Sequence, residues 1–151
     1  MKRKLWVIAI MALSSCEQSK ETSEPGKIAE RFLASYKQDG PKKALGILLP
    51  TNKYITRQDA DSVAARLERL TSGLGNFHGH EKIRESTYGK GITHLTYIMK
   101  YTRQPLRFNF RFYRPAEEWT ILNFSYEVDF LNELEETAKP VRLRENAEQN
   151  D

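Results

Sequence analysis

Three sets of side chains in this 151-residue chain have types and spacings that could do chemistry. The first is His78-Gly79-His80-Glu81. On an extended chain His78 and His80 face the same way, as two ligands of one metal ion must. No third ligand accompanies them and the glycine reads as a loose loop, so a solvated loop is expected here, with no metal site and no cofactor. The second set is Tyr97, Tyr101 and Tyr126, whose hydroxyls could donate to a ligand in a pocket. The competing reading places them at the rim of a core with hydroxyls outward. The third set is Lys100, Arg107 and Arg111, which could together hold an anion, an acidic partner or a second copy of the chain. The competing reading is a solvated face in which Glu127 and neighbouring acids pair with these bases for about 0–1 kcal/mol each. No phosphate loop, Ser-His-Asp pattern or dinucleotide fingerprint appears, and no catalytic residue is assigned.

The elements that must position these groups lie between Thr93 and Val128. Three runs there alternate with a period of two, which indicates strands. Leu95, Tyr97, Met99 and Tyr101 share one face of the first run, with His94, Thr96, Ile98 and Lys100 on the other. Leu106, Phe108, Phe110 and Phe112 alternate with Arg107, Asn109, Arg111 and Tyr113. In the third run, Leu122, Phe124, Tyr126 and Val128 are expected inward and Ile121, Asn123, Ser125 and Glu127 outward. Pro105 and the Arg114-Pro115 turn separate the runs, and connections this short imply antiparallel hairpins. Burying one Phe side chain is worth roughly 1.5–3 kcal/mol, so Phe108, Phe110 and Phe112 should dominate the core. His94, alone on a mixed face, reads as surface.

Upstream, Ile28, Phe32 and Tyr36 form the stripe of an amphipathic helix over 27–38, which Asp39-Gly40 stops. Pro41 opens a short helix with Leu45, Leu48 and Leu49 on one side. Thr56 and Asp59 resemble a capping box for a third helix, carried by Val63, Leu67 and Leu70 to Gly73. A first strand is expected from Glu81 to Tyr88. After Val128, Phe130, Leu131 and Leu134 could make one helical turn over the sheet edge, and residues 139–151 form a polar tail expected to be disordered. Helices followed by strands indicate an α+β fold, with N-terminal helices packed on one face of a curved four-stranded antiparallel sheet.

The first fifteen residues read as an export signal. Lys2, Arg3 and Lys4 precede a short apolar run from Leu5 to Leu13, too short to span a bilayer as a helix. Leu13-Ser14-Ser15-Cys16 resembles the lipobox of bacterial lipoproteins. That resemblance implies cleavage between Ser15 and Cys16, lipidation of Cys16, and a lipid-anchored protein of the bacterial cell envelope, on the periplasmic side or the cell surface. The competing reading is an ordinary signal peptide with a coincidental cysteine. Residues 16–26 would then be the lipidated cysteine and a flexible tether. The formal net charge of +4 comes from 24 basic and 20 acidic residues. Without Lys2, Arg3 and Lys4 there remain 21 basic residues against 20 acidic, net +1, which gives no support to nucleic-acid binding. Cys16 is the single cysteine, so no internal disulfide can form.

The order of three helices and a meander, with the Phe108-x-Phe110-x-Phe112 strand, the Tyr113-Arg114-Pro115 turn and Trp119 and Phe124 near the end, is similar to the nuclear transport factor 2-like superfamily. The likeness covers roughly residues 27–130, and within the superfamily it resembles small bacterial lipoproteins. It implies a cystatin-like α+β cone whose sheet face often forms dimers. Because that fold hosts isomerases, dehydratases and binding modules alike, it does not select an activity. The superfamily's enzymes place an Asp or His base inside the cone, and the expected inner face of the three central strands offers neither. Asp59, Asp61 or Glu85 would have to enter from elsewhere, and capping already occupies Asp59. The reading is therefore a non-catalytic binding or accessory module for an envelope protein or a small apolar ligand. The alternative is a cone-pocket enzyme of the isomerase or dehydratase type.

Overall fold

The computed structural model describes residues 23–133, 135 and 136. The export signal, Cys16, Leu134 and the polar tail lie outside the described residues. Helices α1 (Glu24–Asp39), α2 (Pro41–Leu48) and α3 (Arg57–Ser72) precede strands β1 (Phe77–Tyr88), β2 (Ile92–Tyr101), β3 (Leu106–Tyr113) and β4 (Thr120–Glu127). The strands form one antiparallel sheet in the order β1-β2-β3-β4, so the fold is α+β.

Helix α1 begins inside the segment expected to be tether. Ser23 is its N-cap, with Oγ accepting from the Gly26 N–H at 3.1 Å. Pro25 falls in the first turn, where its missing N–H costs nothing because that donor has no intrahelical partner anyway. The Ser-Glu-Pro-Gly run is thus a helix start. Residues 24–26 belong to the domain, and Pro25 and Gly26 are buried. Gly40 (φ 83°), a backbone conformation that suits glycine, ends α1, and Pro41 opens α2. The capping box of α3 is present in full: Asp59 N–H donates to Thr56 Oγ1 at 3.2 Å, and Thr56 N–H donates to the Asp59 carboxylate at 3.2 Å.

Phe32 on α1 joins the layers. It is fully buried, and its ring lies 5.3–5.9 Å from those of Phe108, Phe110 and Phe124. Tyr36 meets Phe108 edge-on at 5.3 Å. Such tilted and edge-to-face pairs add roughly 0.5–1.5 kcal/mol beyond area burial. Leu33, Leu45, Leu48 and Leu67 complete the helical side of the core. Among the described residues no buried side-chain nitrogen or oxygen lacks a hydrogen-bond partner.

Three irregularities set which residues face out. In β4 the register shifts between Arg111 and Phe112: Arg111 pairs with Asn123, but Phe112 pairs with Ile121. The extra residue reverses the alternation at the start of the strand. Ile121 is therefore fully buried and Leu122 is 49% exposed, the reverse of the period-two expectation for this pair, while Phe124 and Tyr126 stay on the core side. Strand β1 starts at Phe77, four residues before the expected Glu81, and carries two register shifts of its own, at Phe77/Gly79 and Lys82/Arg84. Gly79 (φ 126°) makes the first possible, so the histidine stretch is bulged strand and not loop. At the free edge of β4, Ile121 N–H donates to Thr51 Oγ1 at 3.0 Å, and its carbonyl accepts from Asn52 Nδ2 at 2.8 Å.

Candidate anion-binding face of the sheet

The three tyrosines have three different surroundings. Tyr97 is buried and its hydroxyl donates to Glu30 Oε1 at 3.0 Å. Burial, followed by the Glu30 charge, holds its phenol well above the ordinary range. Tyr101 shares a 2.6 Å hydrogen bond with Tyr36. Tyr126 packs against Phe124 and Phe108 at 5.9 and 6.5 Å. The two histidines also part company. His78 Nε2 lies 2.8 Å from Thr102 Oγ1, whereas His80 Nε2 lies 3.5 Å from Glu30 Oε2, because the bulge breaks the alternation that would have aligned them. Among the described residues no group of three or more His, Cys, Asp or Glu is placed to hold a metal ion. Glu30 is the carboxylate that the sequence reading passed over. It lies on the polar side of the α1 stripe, yet its carboxylate reaches Tyr97 and His80 on the sheet.

The outer sheet face holds a cavity of about 420 Å³. Strand register builds it from transverse rows, with neighbouring strands about 4.8 Å apart. One row is Ser86, His94, Arg111 and Asn123, and the next is Arg84, Thr96, Asn109 and Ser125. A third runs Glu81, Ile98, Arg107 and Glu127. Thr96 is buried at the floor and its hydroxyl donates to Asn109 Oδ1 at 3.0 Å. Ile83, the extra residue of the second β1 bulge, and Tyr88 stand along one wall, both more than half exposed.

The three basic residues singled out from sequence differ in their partners. Arg107 donates to Glu127 Oε1 from Nε and Nη2 (3.0 and 2.8 Å) and to Glu133 from both Nη atoms (2.7 Å each), and its guanidinium lies 5.0 Å over the Phe130 ring. Hydrogen bonding to Glu133, then to Glu127, holds its proton still more firmly than usual and lowers the Glu133 carboxyl. Lys100 pairs with Glu81 at 3.0 Å in a solvent-exposed bridge and does not line the cavity. Arg111 lines it, and so does Arg84, whose Nε donates to Ser86 Oγ at 3.1 Å. Among the described residues neither Arg84 nor Arg111 has a carboxylate partner. His94 lies in the same row as Arg111. Burial, then the Arg111 charge, then Arg84 and Arg107, push its imidazole below the ordinary histidine value, while a hydrogen bond that the ring donates to Asn109 acts the other way. The cavity thus brings together two guanidiniums without a carboxylate partner among the described residues, an imidazole whose charged form they disfavour, and a floor of neutral polar groups.

No protein-family model matches this chain, and no curated protein or solved structure resembles it closely enough to lend it a family.

Proposed function

We propose that this protein is a lipid-anchored envelope lipoprotein of the nuclear transport factor 2-like kind, and that its domain is a non-catalytic binding module. The outer sheet face is its working surface. The observation that carries the binding reading is the pair of guanidiniums, Arg84 and Arg111, which line a cavity and have no carboxylate partner among the described residues, while Arg107 in the same sheet is fully engaged. On the opposite face Phe32, Phe108, Phe110 and Phe112 are fully buried, and the hollow of about 450 Å³ at its end, beside Tyr36 and Tyr101, is lined by Lys37 and Glu68 and by no arginine. Among the described residues no helix is long and apolar enough to cross a membrane. The anchor is assigned to Cys16 on the strength of the Leu13–Cys16 motif and the basic-then-apolar run before it. Anchoring raises the effective concentration of the module towards its envelope partner, whether a protein, a second copy or a small molecule.

Native mass spectrometry of the full chain extracted from bacterial envelopes tests both parts in one spectrum. The expected result is a chain starting at Cys16 with added acyl mass, carrying a bound species that Arg84→Gln/Arg111→Gln lacks. An unacylated chain refutes the anchor, and a bound species that survives the double substitution refutes the face.

A further inference from the structure

The inference below rests on the outer sheet face being the binding surface, and names the ligand chemistry it fits. Arg84 and Arg111 lie on strands two apart and one transverse row apart. Two strand spacings of about 4.8 Å and one two-residue step of about 6.8 Å put their backbones roughly 12 Å apart, a gap that two arginine side chains can close. His94 lies in the row of Arg111 and on the strand between the two, and both arginine charges act on its ring. Guanidinium groups match the planar, two-oxygen edge of carboxylates and phosphates. The volume, about 420 Å³, lies within the range of about 300–1,000 Å³ usual for small-molecule sites. Ile83 and Tyr88 give one wall apolar and aromatic surface, while Asn123 and Ser125 leave the far side polar and neutral.

We propose that this cavity binds the phosphate or carboxylate head of a small amphiphilic molecule between Arg84 and Arg111, over His94, with the ligand's apolar part against Ile83 and Tyr88. Binding draws a proton onto His94. The groups facing that imidazole are Arg84 and Ser86 from β1, Asn109, Arg111 and Arg107 from β3, and Asn123 from β4. Among the described residues the carboxylates on this side beside Arg107, Glu127 and Glu133, are both taken up by it, and Glu127 also accepts from the Asn109 amide at 3.1 Å. In the empty site the guanidiniums disfavour the imidazolium. An anion seated between them removes that opposition and supplies attraction, so affinity rises as pH falls through the histidine range.

The test is a histidine-ring NMR titration of the full chain in detergent, with benzoate and phenyl phosphate as probes. The chain has three histidines, and His78 and His80 lie off this face and serve as internal controls. Benzoate keeps its charge from about pH 5.5 to 8, as a carboxylic acid titrating near 4 must. Saturating probe is expected to raise the His94 titration midpoint by about one pH unit and leave the other two unmoved, which corresponds to binding several-fold tighter at pH 5.5 than at pH 8, with about tenfold as the ceiling. Arg84→Gln and Arg111→Gln should each weaken binding at least about tenfold. Both side chains are exposed, so an unchanged far-UV spectrum is expected alongside. Vesicles of phosphatidylglycerol, used in place of the soluble probes, identify a lipid headgroup as the source if they alone move His94. An unmoved His94 with all three probes overturns the inference, as does an equal shift in potassium chloride, which marks diffuse screening. Should the probes fail while the envelope-bound species still depends on Arg84 and Arg111, the binding face stands and only its ligand class is wrong.

Discussion

Replacing Ile121 and Leu122 by alanine, one at a time, separates two descriptions of β4. Ile121 is fully buried within the core cluster, so Ile121→Ala deletes packed methyl groups and leaves a void. Such deletions cost about 2–5 kcal/mol. Leu122 is 49% exposed. Full burial of a leucine is worth roughly 1.5–3 kcal/mol and only part of that is realised here, so Leu122→Ala should cost less than about 1 kcal/mol. For a domain a little over 100 residues long, about 4 °C is lost per kcal/mol. Ile121→Ala should then lower Tm by roughly 8–20 °C and Leu122→Ala by under about 4 °C. Urea unfolding followed by circular dichroism gives the free energies, and thermal scans give the order independently. If Leu122→Ala proves the costlier change, strict alternation holds through the strand, no extra residue separates the Phe112 and Arg111 pairings, and the reasoning from register to burial is wrong.

Three further outcomes are expected. Thr56→Ala removes half of the α3 capping box and should cost about 1 kcal/mol in urea unfolding, whereas Thr56→Ser, which keeps the hydroxyl, should cost little. Glu30→Gln takes away a charge that opposes ionisation of Tyr97, so an NMR titration of the Tyr97 ring should shift downward yet stay above the ordinary phenol range, because burial is the larger cause. The folded pKa of His94 lies below the unfolded value near 6.5, so the unfolded chain binds more protons in the interval between them. Stability should accordingly fall as pH drops through about 6.5 towards the folded value; His94→Gln should lack that component of the slope when urea midpoints are compared at pH 7.5, 6.5 and 5.5.

The parts of this fold that follow from local rules were readable before any coordinates. The alternation through Leu95–Tyr101 and Leu106–Phe112, the Ile28, Phe32 and Tyr36 stripe, and the Thr56–Asp59 cap each depend on residues a few positions apart. What escaped depends on register. Ile121 and Leu122 are both large and apolar, so nothing in their types says which one a bulge turns inward. Gly79 read as a loop because glycine weakens a strand, yet here it marks a bulge within one. Arg111 was on the expected basic face, but Arg84 could join it only after the second β1 shift set its place opposite Thr96. His94 read as plain surface because its neighbours Arg84 and Arg111 come from two other strands. Arg107 lost its availability to Glu133, twenty-six residues away and past the end of the sheet.

The two outer strands also govern how copies of this protein behave when crowded. An open sheet exposes unpaired backbone donors and acceptors along both margins, and each margin is a template on which a stray strand could add. Strand β1 is long enough at twelve residues to serve as one, but its two bulges break the straight run of hydrogen-bonding groups, and Lys82 and Arg84 add charge beside the second bulge. At β4, Thr51 and Asn52 occupy the backbone groups of Ile121. Lateral extension is thereby hindered along β1 and at the start of β4. At high local concentration, copies are then less prone to zip together through their main chains.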